Sequence, residues 1–132
     1  MVSRGRVWDV AGMPGFVLEG AEGWISYGTY RIDDGECELA LLDSPFARRG
    51  GGSAVIEAIV REARAANCRR VWLVTTNDNV DALAFYQRRG FRLAALHRDA
   101  VTEARDALKP EIPEVAPNGI PIRDELELEF EL

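Results

Sequence analysis

The order of apolar and polar residues in the first third of the chain predicts three short strands. Residues 23–31 are rich in aromatic and β-branched side chains, which are typical of strands, and residues 16–19 form a shorter candidate before them. Residues 36–42 alternate at first and then become entirely apolar, which predicts a strand that enters the core. Residues 33–35, Asp-Asp-Gly, predict a hairpin turn between the last two strands.

The middle of the chain predicts a β-α-β unit. Residues 53–66 carry apolar side chains at helical spacing on one face and charged side chains on the other. Residues 71–76 form a continuous apolar run, as expected for a strand covered on both faces. Because a strand, a glycine-rich loop, a helix and a strand follow one another, we expect residues 36–42 and 71–76 to be parallel neighbours.

The last third predicts two helices and two strands. Residues 80–89 are a helix that the polar residues 77–79 cap and Gly90 ends. Residues 91–98 predict a strand, and residues 101–108 a helix that stops before Pro110. Residues 123–132 alternate strictly and predict a closing strand whose glutamate face is exposed to solvent. Its other face carries Leu126, Leu128, Phe130 and Leu132.

The composition fits one globular domain, which we predict to span residues 1–132. Hydrophobic residues make up 47% of the chain and charged residues 29%, an ordinary balance for a domain with a core. The chain has no run of 18 apolar residues, so we expect no membrane partner. Residues 1–6 lack the apolar block of a signal peptide, and we therefore expect a cytoplasmic protein.

Charge and cysteine content narrow the classes of ligand. The net charge of −6 opposes broad binding to nucleic acid, which needs a basic face. A local group of arginines in the middle of the chain suits a small anionic ligand, although each arginine alone is explained equally well as a solvated surface residue. Cys37, Cys68 and the single His97 form no ligand cluster, so we expect no metal. Both cysteines are expected to be reduced and partly buried.

A glycine-rich segment at residues 47–53 follows a predicted strand and precedes a predicted helix. Glycines let a phosphate approach the backbone, and the N–H groups and dipole of the helix start favour an anion. The segment is neither a P-loop nor a dinucleotide-binding motif, and a tight turn alone would also explain it. The residues that such an anion site would use are Arg48, Arg49, Gly50, Gly51, Gly52 and Ser53.

Residues 79–91, NVDALAFYQRRGF, resemble the GNAT N-acetyltransferase consensus N-x-x-A-x-x-x-Y-x-x-x-G-F. The matching positions are Asn79, Ala82, Tyr86, Gly90 and Phe91. The glycine-rich segment similarly resembles the acetyl-CoA pyrophosphate loop of that family, R/Q-x-x-G-x-G/A. The two motifs stand in the order of the family, one β-α-β step apart, which is more specific than either alone. The resemblance covers residues 16–132.

The resemblance implies an α/β fold with a central twisted mixed sheet flanked by helices. This chain departs from the family in two places. Ala47 stands where the loop motif usually has Arg or Gln, so one pyrophosphate contact is missing or is replaced by a neighbouring arginine. Residues 1–15 form only a short lead where the family carries a strand and one or two helices. We therefore expect a truncated form or a wall supplied by a partner, and apolar surface that favours a homodimer.

The resemblance also implies an activity, acetyl transfer from acetyl-CoA to a primary amine of a small molecule or peptide by direct attack in a ternary complex. The pantetheine arm lies between residues 36–42 and 71–76, at positions Leu41, Leu42 and Asp43. A backbone N–H at Leu41 or Leu42 polarises the thioester carbonyl. Acetyl-CoA is the only cofactor implied, as a co-substrate, and no metal is implied.

Motif positions suggest the proton-transfer groups. Tyr86 matches the family's general acid, which protonates the leaving thiolate, and the alternative is a packed aromatic side chain. Asn79 matches a cofactor contact, and an N-cap is compatible with that role. Glu38, on one face with Glu36, is the first candidate for the base, although a solvated strand edge explains it equally well. His97 ranks below Glu38.

Two other functions remain open from the sequence. One is a non-catalytic CoA-binding or regulatory module with the same fold, which Ala47 and the short N-terminus favour and Tyr86 and Asn79 oppose. The other is an unrelated nucleotide-phosphate-binding protein that uses only the glycine-rich segment. The absence of a Lys-Ser/Thr pair after the glycines opposes it.

Overall fold

The computed structural model describes residues 2–3, 6–7, 13–20, 23–43 and 51–132. Among these residues the strands and helices follow one another along the chain as predicted from residue 16 onward, with boundaries that shift by one to two residues. The elements are β1 (Val2–Ser3), β2 (Arg6–Val7), β3 (Gly15–Gly20), β4 (Gly23–Asp33), β5 (Glu36–Asp43), α1 (Gly51–Ala65), β6 (Arg70–Thr76), α2 (Val80–Arg88), β7 (Arg92–His97), α3 (Ala100–Ala107) and β8 (Glu125–Glu131).

Six of the strands form a mixed sheet in the order β3-β4-β5-β6-β8-β7, and β1 pairs with β2 in a separate two-stranded sheet. Strands β5 and β6 are parallel, with Glu36–Glu38 in register with Arg70–Trp72, which confirms the predicted β-α-β unit. Strand β4 is antiparallel to β3 and β5, and β7 is antiparallel to β8. The α/β class and the mixed sheet are therefore confirmed.

The chain forms two compact units. The α1 unit contains Asp9–Trp72 and Phe130–Leu132, and the α2 unit contains Met1–Trp8 and Leu73–Glu129. The predicted single domain of residues 1–132 remains a prediction. No helix in the described ranges is long and apolar enough to span a membrane.

Helix α1 packs against β3, β4 and β5 and provides the core of the α1 unit. It begins at Gly51, two residues before the predicted start. Both Asp34 and Gly35 have positive φ angles, of 51° and 73°, as the predicted hairpin turn requires. The buried apolar residues of this unit include Tyr30, Cys37, Leu39, Val55, Ile56, Ile59, Val60, Ala63 and Val71.

Helix α2 has the capping geometry that the sequence predicted. The Asn79 side chain accepts a hydrogen bond from the Ala82 N–H at 3.1 Å, which is an N-cap. Gly90 follows the helix with a φ angle of 95°, where only glycine is unstrained. Helix α2 packs against β7 but carries no buried residue of its own.

Arg105 holds the proline-containing segment that follows α3. Its guanidinium donates to the carbonyl oxygens of Ile112, Pro113 and Ile122, at 2.9, 2.8 and 2.7 Å. A small apolar cluster lies under this segment, formed by Val101, Ala116 and Ile122 with Ile112 packed against it. The Arg105 side chain therefore holds the segment between α3 and β8 in place.

The exposed glutamate face predicted for β8 is wrong over its first half. Glu125 and Glu127 are 6% and 5% exposed. The physical reason is the register with β7, which places His97 opposite Glu125 and within hydrogen-bonding distance of Glu127. A buried carboxylate needs such a partner. Only the end of β8, at Glu131, is exposed as predicted.

Candidate active site

The glycine-rich segment leads into the first turn of α1. Gly51, Gly52 and Ser53 are the first three residues of that helix, and Gly52 is buried. The first turn carries no acidic residue, so the helix start presents no negative charge to an anion. The other predicted loop residues, Arg48, Arg49 and Gly50, lie outside the described residues.

Leu41, Leu42 and Asp43 are the last three residues of β5, and they pair with Thr29, Gly28 and Tyr27 of β4. The register then skips Ala40, because Tyr30 pairs with Leu39 while Thr29 pairs with Leu41. This is a β-bulge, which leaves one residue unpaired and turns the strand, and bulges occur often beside active sites. The alternation of β5 ends after Leu39, but that pattern alone does not distinguish a bulge from a strand that enters the core.

A buried hydroxyl lies beside the bulge. The Oγ1 atom of Thr29 is inaccessible to solvent and has no hydrogen-bond partner in the part of the chain that the structure describes. Thr29 is the register partner of Leu41, one of the residues predicted to contact the pantetheine arm. A buried hydroxyl without a partner at the end of a strand is consistent with a polar ligand that binds there.

The two candidate carboxylates on β5 are both ion-paired. Glu36 accepts a hydrogen bond from Arg70 Nε at 2.9 Å. Glu38 is 2% exposed and lies 3.6 Å from Arg31 Nη2 on β4, its register partner. The prediction that these side chains share one face of the sheet agrees with these contacts. The arginines, however, are partners that the sequence did not reveal, because they come from neighbouring strands.

Tyr86 lies on α2, where its ring packs edge-to-face against Phe85 and Phe91, with centroids 5.2 and 5.5 Å away. Burial raises the pKa of its phenol to about 12, although the nearby Arg89 guanidinium partly offsets that rise. The phenol is therefore protonated at neutral pH and is able to donate a proton. The packed-aromatic and acid interpretations are compatible, because packing of the ring and a protonated hydroxyl do not exclude each other.

His97 has a fixed partner. Its Nε2 atom lies 3.1 Å from Glu127 Oε1, and the imidazole side chain is one-third exposed. Sequence reasoning ranked His97 below Glu38 and missed Glu127, which it treated as a solvated glutamate. The strict alternation of β8 identified which residues share a face but not which face is covered.

Neither cysteine is placed to act as a nucleophile. Cys37 and Cys68 are free and buried, as the sequence predicted. Burial raises the pKa of the Cys37 thiol to about 12, so it carries no thiolate at neutral pH. Among the described residues, no group of three His, Cys, Asp or Glu side chains lies together as a metal site.

Comparisons with known proteins agree with the two motifs. The family model described as "Acetyltransferase (GNAT) family" matches residues 9–91. The uncharacterized Bacillus subtilis protein YdhI is 53% identical over 98 residues, which are 74% of this chain and 61% of YdhI. This chain therefore spans about three-fifths of that relative's length.

Solved structures share the fold. A Bacillus subtilis acetyltransferase in complex with CoA superposes with a TM-score of 0.74, at 18% identity, over 89% of this chain and 76% of that chain. A GNAT family acetyltransferase from Elizabethkingia anophelis with acetyl-CoA bound has a TM-score of 0.73, at 20% identity, over 89% and 75% of the two chains. Together with the family match over more than half of the sequence, these findings establish that the chain belongs to the GNAT acetyltransferase family.

Proposed function

We propose that this protein is an acetyl-CoA-dependent N-acetyltransferase that acetylates a primary amine by direct attack in a ternary complex. The observation that carries the proposal is Tyr86, the motif tyrosine, held by aromatic packing with a pKa of about 12 on a helix whose cap and terminating glycine match the motif. A general acid needs that protonated phenol at neutral pH.

Acetyl-CoA is the proposed donor. The first turn of α1 would receive the pyrophosphate through backbone N–H groups, with Arg48 and Arg49 adding charge. The end of β5, at Leu41, Leu42 and Asp43, would receive the pantetheine arm, and the bulge and the open Thr29 hydroxyl support a ligand there. The complexes of two structural neighbours with CoA or acetyl-CoA favour the same donor.

The reaction forms a carbon–nitrogen bond, breaks a carbon–sulfur bond and moves one proton from the amine to the thiolate. The amine nitrogen attacks the thioester carbon, and the backbone N–H of Leu41 or Leu42 stabilises the negative charge that develops on the carbonyl oxygen. The carbon–sulfur bond then breaks, and the phenol of Tyr86 protonates the leaving thiolate. The nitrogen loses a proton to a base, and Tyr86 is reprotonated, so that the products are the amide and CoA.

Glu38 is the first candidate base from the sequence, but its surroundings favour a structural role. It is almost fully buried, and its ion pair with Arg31 holds β4 to β5. A carboxylate stabilised by a guanidinium is a weaker proton acceptor than an unpaired one. His97, whose side chain is one-third exposed, is the alternative.

Calorimetric titration with acetyl-CoA tests the donor site. The wild-type protein is expected to bind with a Kd on the order of 10 μM, and the double variant Arg48→Ala/Arg49→Ala at least tenfold more weakly. Arg61→Ala/Arg64→Ala, which removes two exposed arginines from the same helix, is the matched control and should bind normally. If no binding heat is measured at millimolar acetyl-CoA, the proposed donor site is wrong.

The second candidate function is a CoA-binding module without catalysis, which Ala47 at the first position of the loop motif favours. It predicts that acetyl-CoA binds but that no amine is acetylated. Normal acetyl-CoA binding with no product from a broad set of primary amines would support it over the enzyme.

We propose a homodimer and a cytoplasmic location for the protein. Strand β7 is at the end of the sheet, and its Leu93 and Leu96 are more than half exposed, which is apolar surface that a second copy would cover. Two free cysteines fit a reducing compartment. Light scattering at working concentration should give twice the chain mass, and a monomer would contradict the dimer.

A further inference from the structure

A groove of about 590 Å³ lies beside α3 in the α2 unit. One wall is apolar and consists of Ala100, Ala104 and Leu108, which are spaced four residues apart along one face of the helix and its end. The polar residues that line the groove are His97, Arg98 and Glu103. The volume lies within the range of small-molecule sites, which combine an apolar wall with a few polar groups.

The polar side of the groove contains a fixed histidine–carboxylate pair. Glu127, which is 95% buried, lies 3.1 Å from His97 Nε2. Because an ionised carboxylate can only accept hydrogen bonds, Glu127 favours the His97 tautomer that carries its proton on Nε2. The lone pair is then on Nδ1. Within the described ranges, no residue hydrogen-bonds to Nδ1. A base oriented by a carboxylate is the arrangement that acid–base catalysis uses.

The rim of the groove is joined to the start of α2, the helix that carries Tyr86. Asp99, two residues after His97, donates its backbone N–H to Asp124 Oδ1 at 2.8 Å. Asn77 donates its backbone N–H to the Asp124 carbonyl at 3.0 Å, and its side-chain oxygen accepts from the Asp124 N–H at 3.0 Å. Asn79, two residues later, caps α2. One residue therefore connects the groove to the motif helix.

The loop before α2 also holds an open acceptor. The Oδ1 atom of Asp78 is buried without a hydrogen-bond partner among the described residues. Asp78 also accepts, through its carbonyl oxygen, a hydrogen bond from Asn118 Nδ2 at 2.9 Å, so its backbone is held in place. A fixed carboxylate oxygen with no donor suits the N–H of a cationic ligand.

We propose that this groove binds the acceptor amine of the acetyl transfer and that His97 is the base. The inference rests on the proposed acetyltransferase function and adds the class of acceptor, a primary amine on an apolar alkyl or aryl body. The apolar body would pack on the alanine wall of α3, and the ammonium group would face Glu103 and the His97–Glu127 pair.

Two protons leave the nitrogen of the bound ammonium group during the reaction. His97 Nδ1 takes one proton from the bound ammonium, and Glu127 stabilises the resulting imidazolium. The free amine forms the carbon–nitrogen bond, and the carbon–sulfur bond breaks. Tyr86 protonates the thiolate, the second nitrogen proton restores the phenol, and His97 releases its proton to solvent. The products are the amide, CoA and one proton.

Binding of 2-phenylethylamine in the absence of acetyl-CoA tests the site without requiring catalysis. Amide resonances of α3 and β7 are expected to shift in NMR spectra, and 3-phenylpropionate, which has a carboxylate in place of the amine, should shift them at least tenfold more weakly. Glu103→Gln should weaken amine binding about threefold to tenfold. Asp106→Asn, which changes an exposed carboxylate of α3 outside the groove wall, should not. Equal binding of the two probes, or shifts away from α3 and β7, would overturn the assignment.

Kinetics separate the role of His97 from a structural one. His97→Gln should lower kcat by about 100-fold and leave KM for the amine within twofold, because it removes the base but keeps the groove. Free imidazole should restore part of the activity of His97→Ala. If the His97→Gln variant has the kcat of the wild-type protein, His97 is not the base, but the proposed acetyltransferase function is unaffected. Amine binding to the groove with no transfer from bound acetyl-CoA would instead remove the proposed function.

Discussion

In the α1 unit, the charged side chains of the sheet are paired with one another across strands, Arg31 with Glu38 and Arg70 with Glu36. The two proposed proton-transfer groups lie in the α2 unit: His97, which is one-third exposed and paired with Glu127, and Tyr86, whose pKa of about 12 keeps its phenol protonated at neutral pH. Helix α1 has a continuous buried face, whereas α2 has no buried residue. The α1 unit thus uses its sheet charges for cross-strand pairing, whereas the α2 unit supplies both side chains proposed to transfer protons.

Substituting Tyr86 with phenylalanine should have the largest effect. Phenylalanine keeps the ring contacts with Phe85 and Phe91 but removes the proton donor, so kcat should fall about 100- to 1,000-fold with little change in the acetyl-CoA Kd. Steady-state release of CoA measures it. Tyr27→Phe, in the α1 unit, is the control, and equal loss in both variants would break the distinction between the units.

Glu38→Gln distinguishes a scaffold carboxylate from a catalytic base. Glu38→Gln breaks the ion pair of this buried carboxylate with Arg31, although Arg31 keeps its contact with Asp33, so the free energy of unfolding should fall by about 1 to 3 kcal/mol in urea titrations. The folded variant should retain kcat within about threefold. Glu57→Gln, on the exposed face of α1, should change neither quantity. A large loss of kcat with normal stability would make Glu38 the base after all.

Alkaline pH should destabilise both units through two acids whose pKa is raised by desolvation in the folded protein. The pKa values of Cys37 and Tyr86 are both about 12 in the folded protein and lower in the unfolded chain, at about 9 and 10. Their contribution is complete below pH 9 and is lost as the pH rises toward 12, because the unfolded chain releases these protons first. Because one pKa unit corresponds to about 1.4 kcal/mol, the free energy of unfolding should fall by up to about 7 kcal/mol over that interval.

Cys37→Ala should reduce that alkaline loss in the α1 unit, and Tyr86→Phe should reduce it in the α2 unit. Chemical unfolding followed at pH 8, 10 and 11 would measure both. A stability that does not change with pH over this interval in the wild-type protein would show that neither group is as protected from solvent as the structure indicates.

Asn79→Ala should have the smallest effect. The Asn79 cap satisfies one N–H at the start of α2, and its loss should cost about 1 kcal/mol of unfolding free energy. Asn79→Asp, which keeps the accepting oxygen, should restore most of it. If acetyl-CoA affinity falls more than tenfold in both variants, Asn79 contacts the cofactor in addition to capping the helix.

Most of the fold was predictable because it depends on local patterns. Alternation, helical spacing and turn residues identified β3 to β8 and α1 to α3, and the β-α-β order predicted the parallel pair. The bulge at Ala40 and the burial of Glu127 were not predictable, because they depend on the register between strands that are distant in sequence. Strand pairing sets such contacts, and a single strand's alternation does not.

The candidate site also has features that the sequence predicts and features that only the structure shows. Tyr86 and Asn79 were found from spacing within one motif, and the structure adds their surroundings. The partners of Glu38 and His97, and the groove beside α3, come from three-dimensional packing of separate segments. The motif spacing thus indicates α2 as the helix of the proposed acid, whereas the two candidate bases could only be compared once their contacts were known.

Incubation with isotopically labelled acetyl-CoA and a set of primary amines, followed by mass spectrometry, tests the central claim most directly. We expect labelled N-acetyl product and CoA in equal amounts, with a preference for amines that carry an apolar body, and a rate at least 100-fold lower in Tyr86→Phe. Bound acetyl-CoA that yields no acetylated amine from any member of the set would contradict it.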